Sequence, residues 1–213
     1  MKFSTVQNRD FFPTPFIIAQ MADEDIASIN PVLEKLILQK EKQDAGVKIS
    51  NSGGWQSDAN ILVWGGDMLE RVVATITDLV NQTTLVLEGN NYQRANIKWR
   101  VNGWANVNRK GNQNVAHTHP GAYWSAVYYV KVPKYDAQAP TGGELELLDP
   151  RGSLPLMYCP NLRFGVKGAT SAGTSELHKP VTGQCVIFPS WLSHAVSPYI
   201  GDETRISIAL NFS

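Results

Sequence analysis

Beyond Ile97 the apolar residues repeat at every second position, and this alternation narrows the possible folds further than any other feature of the sequence. Trp104, Asn106 and Asn108 alternate with Ala105 and Val107. The runs Ser125 to Val132, Gly143 to Asp149, Gln184 to Phe188, Ser193 to Val196 and Thr204 to Phe212 follow, separated by Pro133, Gly142, Pro150, Gly183, Pro189, Pro198 and Gly201. Short runs punctuated at this spacing predict an antiparallel sandwich or barrel rather than βαβ units, and a jelly roll fits best. Asparagine is a poor strand former, so two amides on the face of Trp104 call for a reason.

Before residue 95 the period is helical. Pro31 follows Asn30 as a first-turn proline follows a cap, and Val32, Leu33, Leu36 and Ile37 form one stripe, which predicts a helix of about four turns ending by Gly46. A second helix is expected from about Asp67, with Met68, Leu69, Val72, Val73, Ile76, Leu79 and Val80 on one side, stopping before Gly89. The glycine-rich stretch from Ser50 to Ser57 reads as a loop around Trp55, and that ring is expected to be packed rather than to serve as a lid. The fold class is therefore mainly β with N-terminal helices (α+β). Residues 1–95 form a helical and loop segment packing on a barrel made by residues 96–213, in one integrated domain.

Nineteen basic and nineteen acidic residues leave no net charge, which disfavours nucleic acid as a partner. No run approaches the roughly 20 apolar residues of a membrane span. Cys159 and Cys185 are the only cysteines and are expected to be buried thiols; together with an N-terminus lacking a signal-like apolar stretch, they point to a reducing, cytoplasmic setting.

Four histidines are the scarce chemical resource. His117 and His119 are one residue apart, and on a strand both rings point to one side, about 6.5 Å apart at the backbone, where they can share a metal ion. His194 is the only other histidine in strand-like context, since His178 reads as a loop residue. The competing reading is that these are satisfied core or surface histidines. Arg205 tips the balance: it shares a face with Ser207, Ala209 and Asn211, whereas Ile206, Ile208, Leu210 and Phe212 take the opposite one. An arginine facing a barrel interior is costly unless an anion meets it, and a guanidinium beside a hydroxyl suits a carboxylate.

The stretches Ala116-His117-Thr118-His119-Pro120-Gly121-Ala122, Ser125-Ala126-Val127-Tyr128-Tyr129-Val130, Asp149-Pro150-Arg151, Phe188-Pro189-Ser190-Trp191-Leu192-Ser193-His194 and Arg205-Ile206-Ser207 occur in this order. With them the chain resembles the iron(II) and 2-oxoglutarate-dependent oxygenases, and within these the branch found in marine bacteria and their phages. The likeness covers about half the chain. It implies a double-stranded β-helix (jelly roll, cupin-like) flanked by helices, with Fe(II), 2-oxoglutarate and O2 as cofactor and co-substrates. His117 would be the first metal ligand, His194 the distal one, and Arg205 with Ser207 the 2-oxoglutarate anchor; Asn106 and Tyr128 would add contacts to the co-substrate. Trp104, Tyr128, Tyr129 and Trp191 would wall the pocket. The implied reaction couples decarboxylation of 2-oxoglutarate to hydroxylation of a protein or peptide side chain or an amino-acid-like substrate, in the host cytoplasm if the gene is a phage's.

The likeness departs from the family where a carboxylate is usual, because His119 stands there. His119 is expected as the third ligand. It could instead lie beside the metal without binding, or Glu144, Glu146 or Asp149 could complete the set, although Glu144 and Glu146 are expected to face solvent. Other readings are a three-histidine cupin-type metalloprotein such as a thiol dioxygenase, a zinc hydrolase, and a non-catalytic jelly-roll binding module. The first two of these have no use for a buried arginine and serine pair, or lack a general base beside the site.

Overall fold

In a computed structural model, the alternation after Ile97 becomes, among the described residues, eight strands that are dealt between two sheets. The structure describes residues 4–7, 11–94, 96–134, 140–152, 159, 161 and 175–213. Strands β6 (Val101–Asn108), β8 (Trp124–Lys131), β11 (Gln184–Pro189) and β13 (Arg205–Phe212) lie in one sheet. Strands β7 (Gln113–His117), β9 (Leu145–Leu148), β10 (Ser175–His178) and β12 (His194–Val196) lie in the other. All pairings among them are antiparallel, which is the double-stranded β-helix.

The N-terminal residues complete both sheets. Strand β1 (Ile17–Gln20) caps one edge of the larger sheet beside β11, and β3 (Trp55–Gln56) caps the other beside β6, giving six strands in the order β1-β11-β8-β13-β6-β3. Strand β2 (Asn51–Ser52) adds to β7 and makes the smaller sheet five-stranded. The stretch read as a loop is thus two short edge strands, a length too small to carry a period. Trp55 is packed, its Nε1 donating to the Asp44 carbonyl at 2.8 Å. A hairpin, β4 (Val86–Glu88) with β5 (Asn91–Gln93), stands apart.

Helix α1 (Asp23–Gln43) starts a full two turns before the expected cap, and Pro31 lies inside it. An interior proline forfeits one backbone hydrogen bond and costs about 3 kcal/mol in an isolated helix. Tertiary packing outweighs this: Ile29, Leu33 and Ile37, four apart, are buried, and Asp23, Glu24 and Asp25 suit the positive end of the helix dipole. Asn30 does not cap a helix; its Nδ2 donates to the Val130 carbonyl at 2.7 Å, and its Oδ1 accepts from the Tyr128 hydroxyl at 2.6 Å. After the short α2 (Ile61–Trp64), α3 (Gly66–Thr83) runs as its periodicity predicts and buries Leu69, Val72, Ile76 and Val80.

These helices cover the outer face of the larger sheet, where Ala105, Val107, Ala126, Tyr128, Val130, Ile206, Ile208, Leu210 and Phe212 join their apolar stripes in one cluster. Fully burying an aliphatic side chain is worth about 1.5–3 kcal/mol, so this cluster fixes which face of β6, β8 and β13 is left for the barrel interior. A smaller cluster of Tyr129, Leu145, Val186, Phe188 and Leu192 packs on the inner side. His178 is a strand residue, its Nε2 2.7 Å from Gln184 Oε1 and its ring edge-on to Phe16. Cys185 is buried as expected, but Cys159 is exposed. Among the described residues no helix is long and apolar enough to cross a membrane.

Candidate metal centre

The ends of β7 and β12 bring the three expected histidines together. His117 and His194 are register partners across these strands, and His119 follows two residues later where its backbone N–H donates to the Ser190 carbonyl at 2.9 Å. A one-residue register shift between His194 and Val196 bends the pair locally, as bulges often do beside functional sites. One ring nitrogen from each histidine lies within 4.8 Å of the others, and the His119 and His194 Nε2 atoms are 3.2 Å apart. Metal–imidazole bonds of about 2.1 Å separate adjacent ligand nitrogens by about 3 Å, so small ring adjustments suffice for one ion.

Hydrogen bonding orients two of the rings. His117 Nδ1 is 2.7 Å from the Val115 carbonyl and His194 Nδ1 is 2.8 Å from the Leu192 carbonyl. Each Nδ1–H donates to that oxygen, which leaves the Nε2 lone pair facing the other rings. Burial, reinforced by the nearness of His194 and His117, holds the His119 pKa down to about 3. Burial also holds His194 down to about 4, against the opposing pull of the Leu192 carbonyl. Both rings are therefore neutral near pH 7, the protonation state a metal needs.

Arg205 lies deeper in the same cavity, 2% exposed, and Trp104, Asn106, Tyr129, Ser207 and the three histidines share its walls. Its guanidinium carbon sits 5.3 Å from the centre of the Tyr129 ring. Burial lowers the guanidinium pKa, with Tyr129, Tyr199 and Glu144 opposing that shift, but arginine stays charged in proteins. Tyr129 is pushed up to about 12 by burial and keeps its proton. Among the described residues, five buried side-chain atoms lack a hydrogen-bond partner, and three of them, Arg205 Nε, Tyr129 OH and Asn106 Oδ1, belong to residues lining this cavity. A buried charge with no carboxylate among the described residues of the cavity wall fits an anionic ligand, because an orphaned buried polar group otherwise costs about 1–3 kcal/mol or more.

One expected contact residue is elsewhere. Tyr128 faces the helices, bonded to Asn30, and Tyr129 is the tyrosine that lines the cavity. Both faces of β8 are buried, so its sequence lacks the polar alternation that would tell inside from outside. The inner partnership of Ser207 with Tyr129 across β13 and β8 is the signal that identifies it, and this pairing follows an irregularity next to Ile206 that the sequence does not announce. Asn211 lines the cavity on the Arg205 face as expected, and Ser50, Asn114 and Ser125, which no motif in the sequence singles out, line it too. The carboxylates weighed as ligands are outside the histidine cluster: Glu144 and Glu146 are half-buried rather than solvent-facing and accept from Ser197 and Ser175, and Asp149 grips Arg151.

Beside the histidine cluster a second hollow of about 510 Å3 opens, with His119 on its wall and Pro15, Pro120, Tyr123, Pro189 and Trp191 around it. No Lys, Arg, Asp or Glu lines it among the described residues. Trp191 thus belongs to this outer hollow and Trp104 to the inner cavity.

A family model described as "Putative 2OG-Fe(II) oxygenase" matches residues 102–211, just over half of the chain. Among solved structures, a prolyl-4-hydroxylase of Pseudomonas putida is 14% identical and superposes with a TM-score of 0.58 over 93% of this chain and 92% of its own. A prolyl hydroxylase of Trichoplax adhaerens, in complex with a hypoxia inducible factor oxygen degradation domain peptide fragment, is 14% identical with a TM-score of 0.60 over 92% and 82%. HygX of Streptomyces hygroscopicus, with nickel and 2-oxoglutarate bound, is 14% identical with a TM-score of 0.58 over 94% and 83%. At such identities the likeness is one of fold. No curated protein sequence matches the chain.

Proposed function

The chain belongs to the 2OG-Fe(II) oxygenases, and from that premise we propose that it hydroxylates an uncharged side chain of a protein or peptide, or an amino-acid-like molecule. His117, His119 and His194 hold the iron, and Arg205, Ser207 and Tyr129 hold the far carboxylate of 2-oxoglutarate. The observation that carries this reading is the single cavity in which three imidazole nitrogens converge above a buried, partly unpartnered guanidinium.

Iron held by these three rings would supply oxygen activation, coupling decarboxylation of 2-oxoglutarate to succinate and carbon dioxide with hydroxylation of a C–H bond, one atom of O2 entering succinate and the other the hydroxylated product. The chain's own residues do the positioning. The Val115 and Leu192 carbonyls lock His117 and His194 in the tautomer that offers Nε2 inward. Arg205 and the protonated Tyr129 supply charge and a hydrogen-bond donor to one carboxylate, with the Ser207 hydroxyl beside them. The apolar side chains of Leu145 and Phe188 on the cavity wall lower the local dielectric, which strengthens each of these contacts.

The neutral, aromatic and proline-lined hollow next to His119 supports an uncharged substrate, since a charge brought there would lose its water without gaining a partner. The test is anaerobic addition of Fe(II) and 2-oxoglutarate: the weak visible charge-transfer band of a chelated 2-oxoacid is expected, followed by succinate on admitting oxygen. Bound iron without that band, together with oxygen uptake driven by a thiol alone, would replace this reading with the three-histidine thiol dioxygenase.

A further inference from the structure

The asparagines on the inner face of β6 have a use that the metal centre does not explain. Asn108 is the register partner of Arg205 across β6 and β13, and both side chains are 2% exposed. Its Oδ1 accepts from Arg205 Nη1 at 3.5 Å, a long contact and the only hydrogen bond the guanidinium makes among the described residues. Two other surfaces confine the same side chain. The Tyr129 ring lies 5.3 Å from the guanidinium carbon, and the backbone at Gly143 comes so close that a Cβ there would be 3.1 Å from Arg205 Cδ. Asn108 is itself held from behind, where a Cβ on Gly54 would meet its Nδ2 at 3.0 Å.

We propose that Asn108 is a positioning residue for Arg205: its carbonyl stops the guanidinium from swinging and aims it at the distal carboxylate of the 2-oxoacid. The choice of side chain follows from charge. An aspartate would make a stronger contact but would cancel the positive charge that an incoming dianion needs, whereas a neutral amide orients the group and leaves its charge available. Glu144, an acid close enough to act on Arg205 through space, is occupied with Ser197 instead. The inference rests on the proposed role of Arg205.

The test titrates 2-oxoglutarate, and separately 2-oxobutyrate, which has the same 2-oxoacid head but no distal carboxylate, into the anaerobic Fe(II) protein, reading the visible band. Asn108→Ala is expected to weaken 2-oxoglutarate about tenfold, the effect of losing a hydrogen bond to a charged group, and to leave 2-oxobutyrate unchanged. Asn108→Asp is expected to weaken 2-oxoglutarate further while its thermal midpoint stays near that of the wild type. In an Arg205→Lys background, adding Asn108→Ala is expected to change nothing more. Equal weakening of both oxoacids, or wild-type 2-oxoglutarate affinity in either folded variant, overturns the proposal. A wild-type protein that binds iron but gives no band with either oxoacid overturns the proposed function itself, and a band that forms equally well with both oxoacids overturns the role of Arg205.

Discussion

His117 and His194 sit opposite each other as register partners on β7 and β12, with ring centroids 4.4 Å apart, and His119 closes the triangle at 4.9 and 5.0 Å. The pairing of two short strands, with His119 two residues beyond the end of β7, brings the three rings together.

Replacing His119 separates the ligand sets. As a third ligand it contributes a bond that His119→Ala removes, so the iron dissociation constant is expected to rise at least tenfold, and His194→Ala is expected to do the same. Anaerobic competition with a chelator measures both. Unchanged affinity in His119→Ala would take it out of the coordination sphere.

The adjacent tyrosines are expected to part company. Tyr129→Phe removes a donor from the cavity and should weaken 2-oxoglutarate several-fold at nearly constant melting temperature, because its hydroxyl has no hydrogen-bond partner among the described residues to lose. Tyr128→Phe should leave 2-oxoglutarate binding alone and cost about 1 kcal/mol of stability through the lost bond to Asn30. Titration of the charge-transfer band and denaturant melts of both variants check the pair.

Gly143 has φ +76°, and a Cβ there would stand 3.1 Å from both Arg205 Cδ and Tyr199 Cδ2. Gly143→Ala is expected to displace Arg205 and to cost about 1–3 kcal/mol in backbone strain. Lower melting temperature together with weaker 2-oxoglutarate binding is the expected result; weaker melting alone would show that Arg205 tolerates the shift.

Alkali should destabilise the fold through three buried acids. Burial pushes the Cys185 thiol from 9.0 up to about 12 and the Tyr128 and Tyr129 hydroxyls from 10.0 up to about 12. The unfolded chain releases these protons first, so their contribution is intact below pH 9 and is lost as the pH rises towards 12, at about 1.4 kcal/mol per pH unit for each group. Urea melts between pH 8 and 11 are expected to show this fall, delayed to about pH 10 in Cys185→Ala. A thiol reagent at pH 8 should label Cys159, which is exposed, and reach Cys185 only on unfolding.

Much of this was written in the order of residues. The period-two runs, the glycines and prolines between them and the apolar face of β13 determined the jelly roll, because burial of one face against helices dictates which residues turn inward. The same parity put Arg205 and Ser207 in the interior, whereas His119 lies past the end of β7 and is set by its N–H bond to the Ser190 carbonyl. Sequence could not decide what depends on pairing at a distance. Pro31 reads as a helix start because local propensity says so, and only the packing of Ile29, Leu33 and Ile37 on the sheet carries the helix through it. Tyr128 and Tyr129 are indistinguishable in a strand buried on both faces, until the register with β13 and its local irregularity choose one. Asn108 is one more weak strand former until Arg205 is found across the ladder. Composition and periodicity act along the chain, whereas register and contact are properties of two segments at once, and those the tertiary structure alone supplies.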